Sequence, residues 1–468
     1  MTNTKKQETK RNGKSLYMDI SFLGPLIFLL FRIPITNIIG NEGNGYFAFS
    51  WELYTVLGLF FGHCFSSVIS EMVRKRVRKN QYHNSSSILT TSLILGIIAS
   101  LLGCIIFYFV SDALLGFLSM KLSGISFRLL GILLIFSSLS GIFCGYFEGI
   151  GTNVPTTFSK ILKGFISGTG ALIFTSALTK YGSKVGALLY NAQYKPAFGA
   201  TGIVAGCICG TIFSLIFLIV INMIYQVPLK QLLKKDTLAE QESIIRVFKE
   251  MSKLFLITFF EIAFFNVFRI VNMWLYIKTT VLTDGKDKIV QYLGSYHGKV
   301  LVFTTCIILL IFIFTGRNIC RIQKNYRRNN MANCWNFFCE DIKQLLMLTL
   351  PAALILAVFG KNIFTFIYKS AGNIEITMLQ IGCINIILVS FAVYMYRVLK
   401  KLDMKILLIL IPTIAFVIQT LVMSFIVKLP TIGALSLIIS EMIFWLLIVS
   451  MELLLSIKTL KPRVNINN

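Results

Sequence analysis

Long apolar runs separated by short polar stretches recur along the chain. They cover residues 17–40, 45–73, 85–110, 124–148, 155–178, 198–225, 250–276, 290–315, 343–367, 374–399, 404–428 and 431–457. Roughly 20 apolar residues at helical rise cross the hydrocarbon of a bilayer, so each run is long enough for one crossing. The pattern predicts an all-α polytopic membrane protein of about twelve transmembrane helices. The largest internal polar break, Gln226 to Lys249, is basic and falls near the midpoint. It divides the chain into an N-terminal tail 1–16, a six-helix bundle 17–228, a linker 229–249, a second six-helix bundle 250–457 and a C-terminal tail 458–468. Parallel halves of this kind surround a central cavity and bind substrate at their interface near the bilayer midplane.

Charged residues inside the runs are the next signal, because a charge at membrane depth is costly and usually functional. Arg32 precedes, and Glu52 follows, a glycine- and asparagine-rich stretch at Gly40 to Gly45 that predicts a tight turn between the first two runs. At helical rise, Arg32 lies roughly 12 Å below Gly40 and Glu52 roughly 10 Å below Tyr46, near enough in depth to pair. Arg269 in the seventh run sits roughly 13 Å from its presumed outer end at Lys278. Two arginines at matched depth in equivalent helices predict a cationic site, with local pairing of Arg32 to Glu52 and of Arg269 to Glu261 as the alternative. Glu441 in the last run is a further deep carboxylate.

Composition agrees with the pattern. Hydrophobic residues make up 56% of the chain, charged residues 14%, and mean hydropathy is +0.76. The net charge of +25 would suggest nucleic acid in a soluble protein. Here the basic residues concentrate in alternate loops, above all at Arg74 to Lys79, and that asymmetry orients a membrane protein with basic loops inside. Both termini are therefore expected to be cytoplasmic, with the first run an uncleaved start-transfer helix, and no nucleic acid is expected as a partner. With three histidines, and neither a phosphate-cradling glycine loop, a His-Glu-x-x-His pair nor a Cys-x-x-Cys pair, the chain is expected not to be an enzyme and to need no cofactor or metal.

Two segments carry a family resemblance. Arg32-Ile33-Pro34-Ile35-Thr36, Ile38-Ile39-Gly40-Asn41-Glu42-Gly43 and Gly45-Tyr46 resemble the Arg-Ile-Pro-Leu-Thr…Ile-Gly-Asp-Glu-Gly…Gly-Leu-Tyr signature of the stage V sporulation protein B-like polysaccharide flippases. These belong to the multidrug/oligosaccharidyl-lipid/polysaccharide (MOP) superfamily. Gly145-Tyr146-Phe147-Glu148-Gly149-Ile150-Gly151 with Val154-Pro155-Thr156 resembles a second segment, Glu148 replacing the usual glutamine. The resemblance weakens elsewhere. The second run reads Phe61 to Ser66 where the family has an Ala-Gly-Ile-Pro break, the proline expected at the start of the seventh run is missing, and Asn272 stands where aspartate is expected.

The resemblance implies a cell-membrane flippase for polysaccharide precursors, with a polyprenyl-diphosphate-linked saccharide as substrate and Na+ or H+ as coupling ion. Arg32 and Arg269 would hold the diphosphate, Glu52 would orient Arg32 or couple to the ion, Glu441 would be a second carboxylate, and envelope-polysaccharide assembly proteins would be partners. Two other readings stay open: a cation-coupled multidrug antiporter of the same superfamily, and a non-transporting membrane partner of envelope biosynthesis, since lost proline and glycine breaks remove places where helices bend.

Overall fold

The computed structural model describes residues 20–117, 121–233, 242–280, 286–369, 372–429 and 432–461. The N-terminal tail 1–16, part of the linker 229–249 and most of the tail 458–468 lie outside the described residues. All regular structure among the described residues is helical, and eleven helices are long and apolar enough to cross a membrane. The first of these, Leu23–Val77, is 55 residues long. A break at Gly40 (φ 69°, ψ −172°) divides it into two crossings, so twelve crossings result.

That break differs from the expected turn. Residues 41–45 are helical and the reversal is confined to Gly40, whose positive φ an L side chain would resist. One residue of positive φ makes the reversal, and the second limb restarts its helix at once. The polar stretch between the fifth and sixth runs is also largely helical. Helix α5 continues to Leu188 and the turn is confined to residues 189–193, Tyr190 taking φ 50°. Thr, Ser and Lys in 179–188 are compatible with helix where they face solvent.

Packing divides the chain into two compact units, residues 1–270 and 271–468. This is a division by compactness, a different quantity from the linker expected at 229–249. The first unit contains α1 (Leu23–Gly58), α2 (Phe65–Val77), α3 (Tyr82–Phe117), α4 (Gly124–Ile150), α5 (Val154–Leu188), α6 (Tyr194–Leu233) and most of α7 (Ile244–Thr280). Its most extensive pairing is α5 on α6, and α1 lies against α5. One side of α3 exposes Ile94, Ile98, Leu102, Ile106 and Phe109, the i, i+4 stripe of a face that meets lipid.

The second unit contains the last residues of α7, then α8 (Lys286–Ser295), α9 (Leu301–Phe314), the short α10 (Ile319–Tyr326), α11 (Met331–Tyr368), α12 (Asn373–Lys401), α13 (Lys405–Ile426) and α14 (Ser436–Leu460). Helix α12 packs on both α11 and α14. Pro351 and Pro412 lie inside α11 and α13, as Pro34 lies inside α1, and each removes one helical hydrogen bond.

Two helices are wound as π-helix for one turn. Leu59–Cys64 joins α1 to α2 and Tyr296–Val300 joins α8 to α9. The first lies where the Ala-Gly-Ile-Pro break is missing from the sequence. The second crossing therefore does contain an interruption, of a kind that needs neither proline nor a glycine pair.

Candidate functional site

In the first unit, the polar centre forms at the Gly40 break. Arg32, 3% exposed, donates from Nη2 to Asn44 Oδ1 at 2.8 Å. Asn44, 0% exposed, donates from Nδ2 to Thr36 Oγ1 at 3.2 Å and to the Gly40 carbonyl at 2.9 Å. The amide thus spans the break: it donates to the Gly40 carbonyl at the reversal and anchors the arginine on the preceding limb. The Phe47 ring lies 4.5 Å from the guanidinium carbon, within cation–π range, and Phe47 stacks in turn on Trp51 at 5.0 Å. The sequence singles out Arg32; Asn44 looked like a turn former, and only the reversal at Gly40 brings it back onto Arg32.

Glu52 is buried in the same unit, and the Thr55 hydroxyl donates to its backbone carbonyl at 2.7 Å and its carboxylate at 3.4 Å. Arg269 is half-buried on α7 with its guanidinium 5.5 Å from the Phe268 ring centroid, and Glu261 two turns earlier is buried. A further basic side chain was not legible from the runs: Lys163 on α5 is half-buried. Its signal was a lysine nine residues into an apolar run, masked by Lys160 at the run's polar end.

The resemblance-bearing residues have structural explanations. Pro155 occupies the first turn of α5, where its missing N–H costs nothing. Gly145 faces Ser66, whose carbonyl oxygen would stand 2.5 Å from an added Cβ, so α4 and α2 approach more closely than any side chain permits. Gly149 is buried against Val73. Glu148 meets Lys160 at 3.6 Å, and its backbone carbonyl accepts from Arg74 at 3.3 Å. Gly43 and Gly45 are buried after the Gly40 break, while Glu42 is partly exposed.

The second unit carries its own buried polar groups. Glu441, 1% exposed on α14, accepts from the Tyr296 hydroxyl and, at 3.4 Å, from Trp445 Nε1. Beside it, Asn272 donates to Ser440 Oγ at 2.9 Å and accepts from Gln419 Nε2. Asparagine at 272, where aspartate was expected, suits a network that also asks it to donate. The sequence did not single out the ion pair of Lys299 and Glu375, 2.8 Å apart with both side chains 7% exposed and Ser295 Oγ donating to the carboxylate at 2.8 Å. Lys299 lies in the second π turn and Glu375 in the first turn of α12. A lysine nine residues into an apolar run was the available signal; its partner, 76 residues away, was beyond any local pattern.

No protein-family model matches the chain, and no curated protein matches it in sequence. Solved structures do match. An inward-facing multidrug resistance MATE family transporter of the MOP superfamily aligns over 96% of this chain and 99% of its own, with TM-score 0.72 and 12% identity. An outward-facing MATE transporter aligns over 96% and 95%, with TM-score 0.65 and 14% identity. A MOP superfamily transporter from Pyrococcus furiosus, described as having a binding pocket of reverse polarity, aligns over 97% of both chains with TM-score 0.61 and 14% identity. The fold of this chain is thus that of the MATE transporters of the MOP superfamily.

Proposed function

We propose that this protein is a membrane transporter of the MOP superfamily that moves an anionic lipid-linked saccharide precursor across the cytoplasmic membrane. The observation that carries the reading is the Arg32 guanidinium, buried at depth and held by Asn44 across the Gly40 break. A guanidinium binds phosphate oxygens through a planar fork, and fixing it in advance lowers the ordering cost when the anion arrives. Arg269 is the proposed second phosphate ligand. The structurally similar proteins are transporters, which supports transport over catalysis. A polyprenyl-diphosphate saccharide has the required anion, and Na+ or H+ would couple its movement.

The deciding test is depletion of the protein followed by extraction of lipid-linked species. Accumulation of a polyprenyl-diphosphate saccharide on the cytoplasmic leaflet is expected; an unchanged pool, with growth and envelope composition unaffected, would overturn the reading.

The buried Glu441 with its two donors supports a second reading, cation-coupled multidrug antiport. Buried carboxylates can take up and release protons during a transport cycle. Efflux of cationic dyes that is lost with Glu441→Gln would establish it.

A further inference from the structure

Away from the buried arginines, the end of α2 and the start of α7 border an open pocket of about 850 Å³. Lys75, Arg76, Arg78, Lys79 and Arg246 line it, opposed by the carboxylates of Glu242 and Glu250. The pocket is built, and more than a run of solvated cations. Arg76, only 8% exposed, is clamped by Glu242 at 3.0 Å and by both oxygens of Glu250. Asn84, 3% exposed, accepts from the backbone N–H of Glu242 at 3.1 Å and so ties the approach to α7 onto α3. Asn80 in the left-handed conformation (φ 56°) reverses the chain after α2, and the Gln81 N–H returns to the Arg76 carbonyl at 3.0 Å.

This framework consumes both carboxylates on one arginine. Lys75 meets Glu71 at 3.0 Å on the surface, while Arg78, Lys79 and Arg246 stand exposed around the opening. Arg78 and Lys79 lie at the C-terminal end of α2, where the helix dipole favours their charge, and Arg246 lies in the first turn of α7. The depth of the pocket follows from α7. Ile244, Ile245 and Phe248 are 65%, 79% and 47% exposed on one side of its first turns, whereas Glu242, Arg246 and Glu250 lie on the other. A helical segment with exposed isoleucine and phenylalanine on one face and charges on the other lies at the boundary of hydrocarbon and headgroups, which sets the cationic opening at headgroup level.

We propose that this pocket binds the phosphate of an anionic membrane lipid, with Arg78, Lys79 and Arg246 as its ligands and Arg76 as the positioning residue that fixes the two helices around it. The proposal is independent of the transport reading, because it involves neither Arg32 nor Arg269. A free phosphate offers the same oxygens, but the headgroup depth favours the lipid.

The test uses the full chain in detergent, titrated calorimetrically with dioctanoyl phosphatidic acid, dioctanoyl phosphatidylcholine and inorganic phosphate. The acidic lipid is expected to bind, with the other two at least about tenfold weaker. The triple variant Arg78→Gln, Lys79→Gln, Arg246→Gln should weaken acidic-lipid binding by about tenfold or more, the loss expected from removing charge-assisted hydrogen bonds, with an unchanged melting profile. Arg128→Gln, which removes a surface cation paired with Asp112 on other helices, should have no effect. Should the triple variant fail to fold, Arg246→Gln alone carries the same expectation. Undiminished binding by the folded variant, equal loss in Arg128→Gln, or equal affinity for phosphatidylcholine or inorganic phosphate would each overturn the proposal.

Discussion

Replacing Asn44 should disturb Arg32 more than any change made to the arginine's nearest chain neighbours. Asn44→Leu removes an acceptor from the Arg32 guanidinium and a donor from Thr36, both buried, and a donor from the more exposed Gly40 carbonyl. Each buried polar group left unsatisfied costs about 1–3 kcal/mol, so unfolding in detergent should shift by that order and transport should fall with it. Arg32→Lys separates charge from geometry. It keeps the cation but loses the fork, so a drop in transport of about tenfold or more with little change in stability is expected if the group holds a diphosphate. The double change Arg32→Leu with Glu52→Leu removes both charges. A folded but inactive protein is expected, and full transport activity would show that Arg32 serves only to neutralise Glu52. The arginine was legible because a charge inside an apolar run is rare; its amide partner was not, because a turn-forming residue and a buried network residue look the same in sequence.

At the scale of the element, the first π turn lies where the second run lacks its expected break, and the second lies in the eighth run. A π turn accommodates one extra residue in a helix and leaves a local weak point in its hydrogen bonding. Around the first, Phe60 meets Phe255 and Phe259 edge-on at 4.5 and 5.0 Å; the second holds Lys299 against Glu375. Deleting Leu59, or in a separate variant Gly298, should restore α-helical winding while keeping the flanking faces in register. Membrane insertion should survive and transport should fall by about tenfold or more if these turns are where the helices bend; a deletion variant that transports normally would remove that role. Periodicity could not reveal the first turn, because one inserted residue shifts an apolar pattern only where one face is polar, and its crossing is apolar around much of its circumference.

At the scale of the molecule, orientation is the first quantity to measure. In a variant without native cysteines, cysteine placed at Lys79 or Lys324 should resist an impermeant thiol reagent in intact cells. Cysteine at Tyr190, 98% exposed in the turn after α5, should react. The opposite labelling would reverse the expected cytoplasmic position of both termini. Substrate class follows from the depletion test, with accumulated lipid-linked saccharide against dye efflux as the separating outcomes.

The number and place of the crossings were determined by the sequence itself, since the bilayer demands a fixed length of apolar helix whatever its neighbours do. So was the rarity of charge within them, which marked Arg32, Glu52, Arg269 and Glu441 before any fold was known. Tertiary structure alone decided the partners: Asn44 for Arg32 across a single left-handed glycine, Tyr296 and Trp445 for Glu441, and Glu375 for Lys299. The physical reason is reach. Hydropathy acts residue by residue along one helix, whereas a buried polar group is satisfied by whichever atom folding brings within about 3 Å, and that atom often belongs to a distant part of the chain.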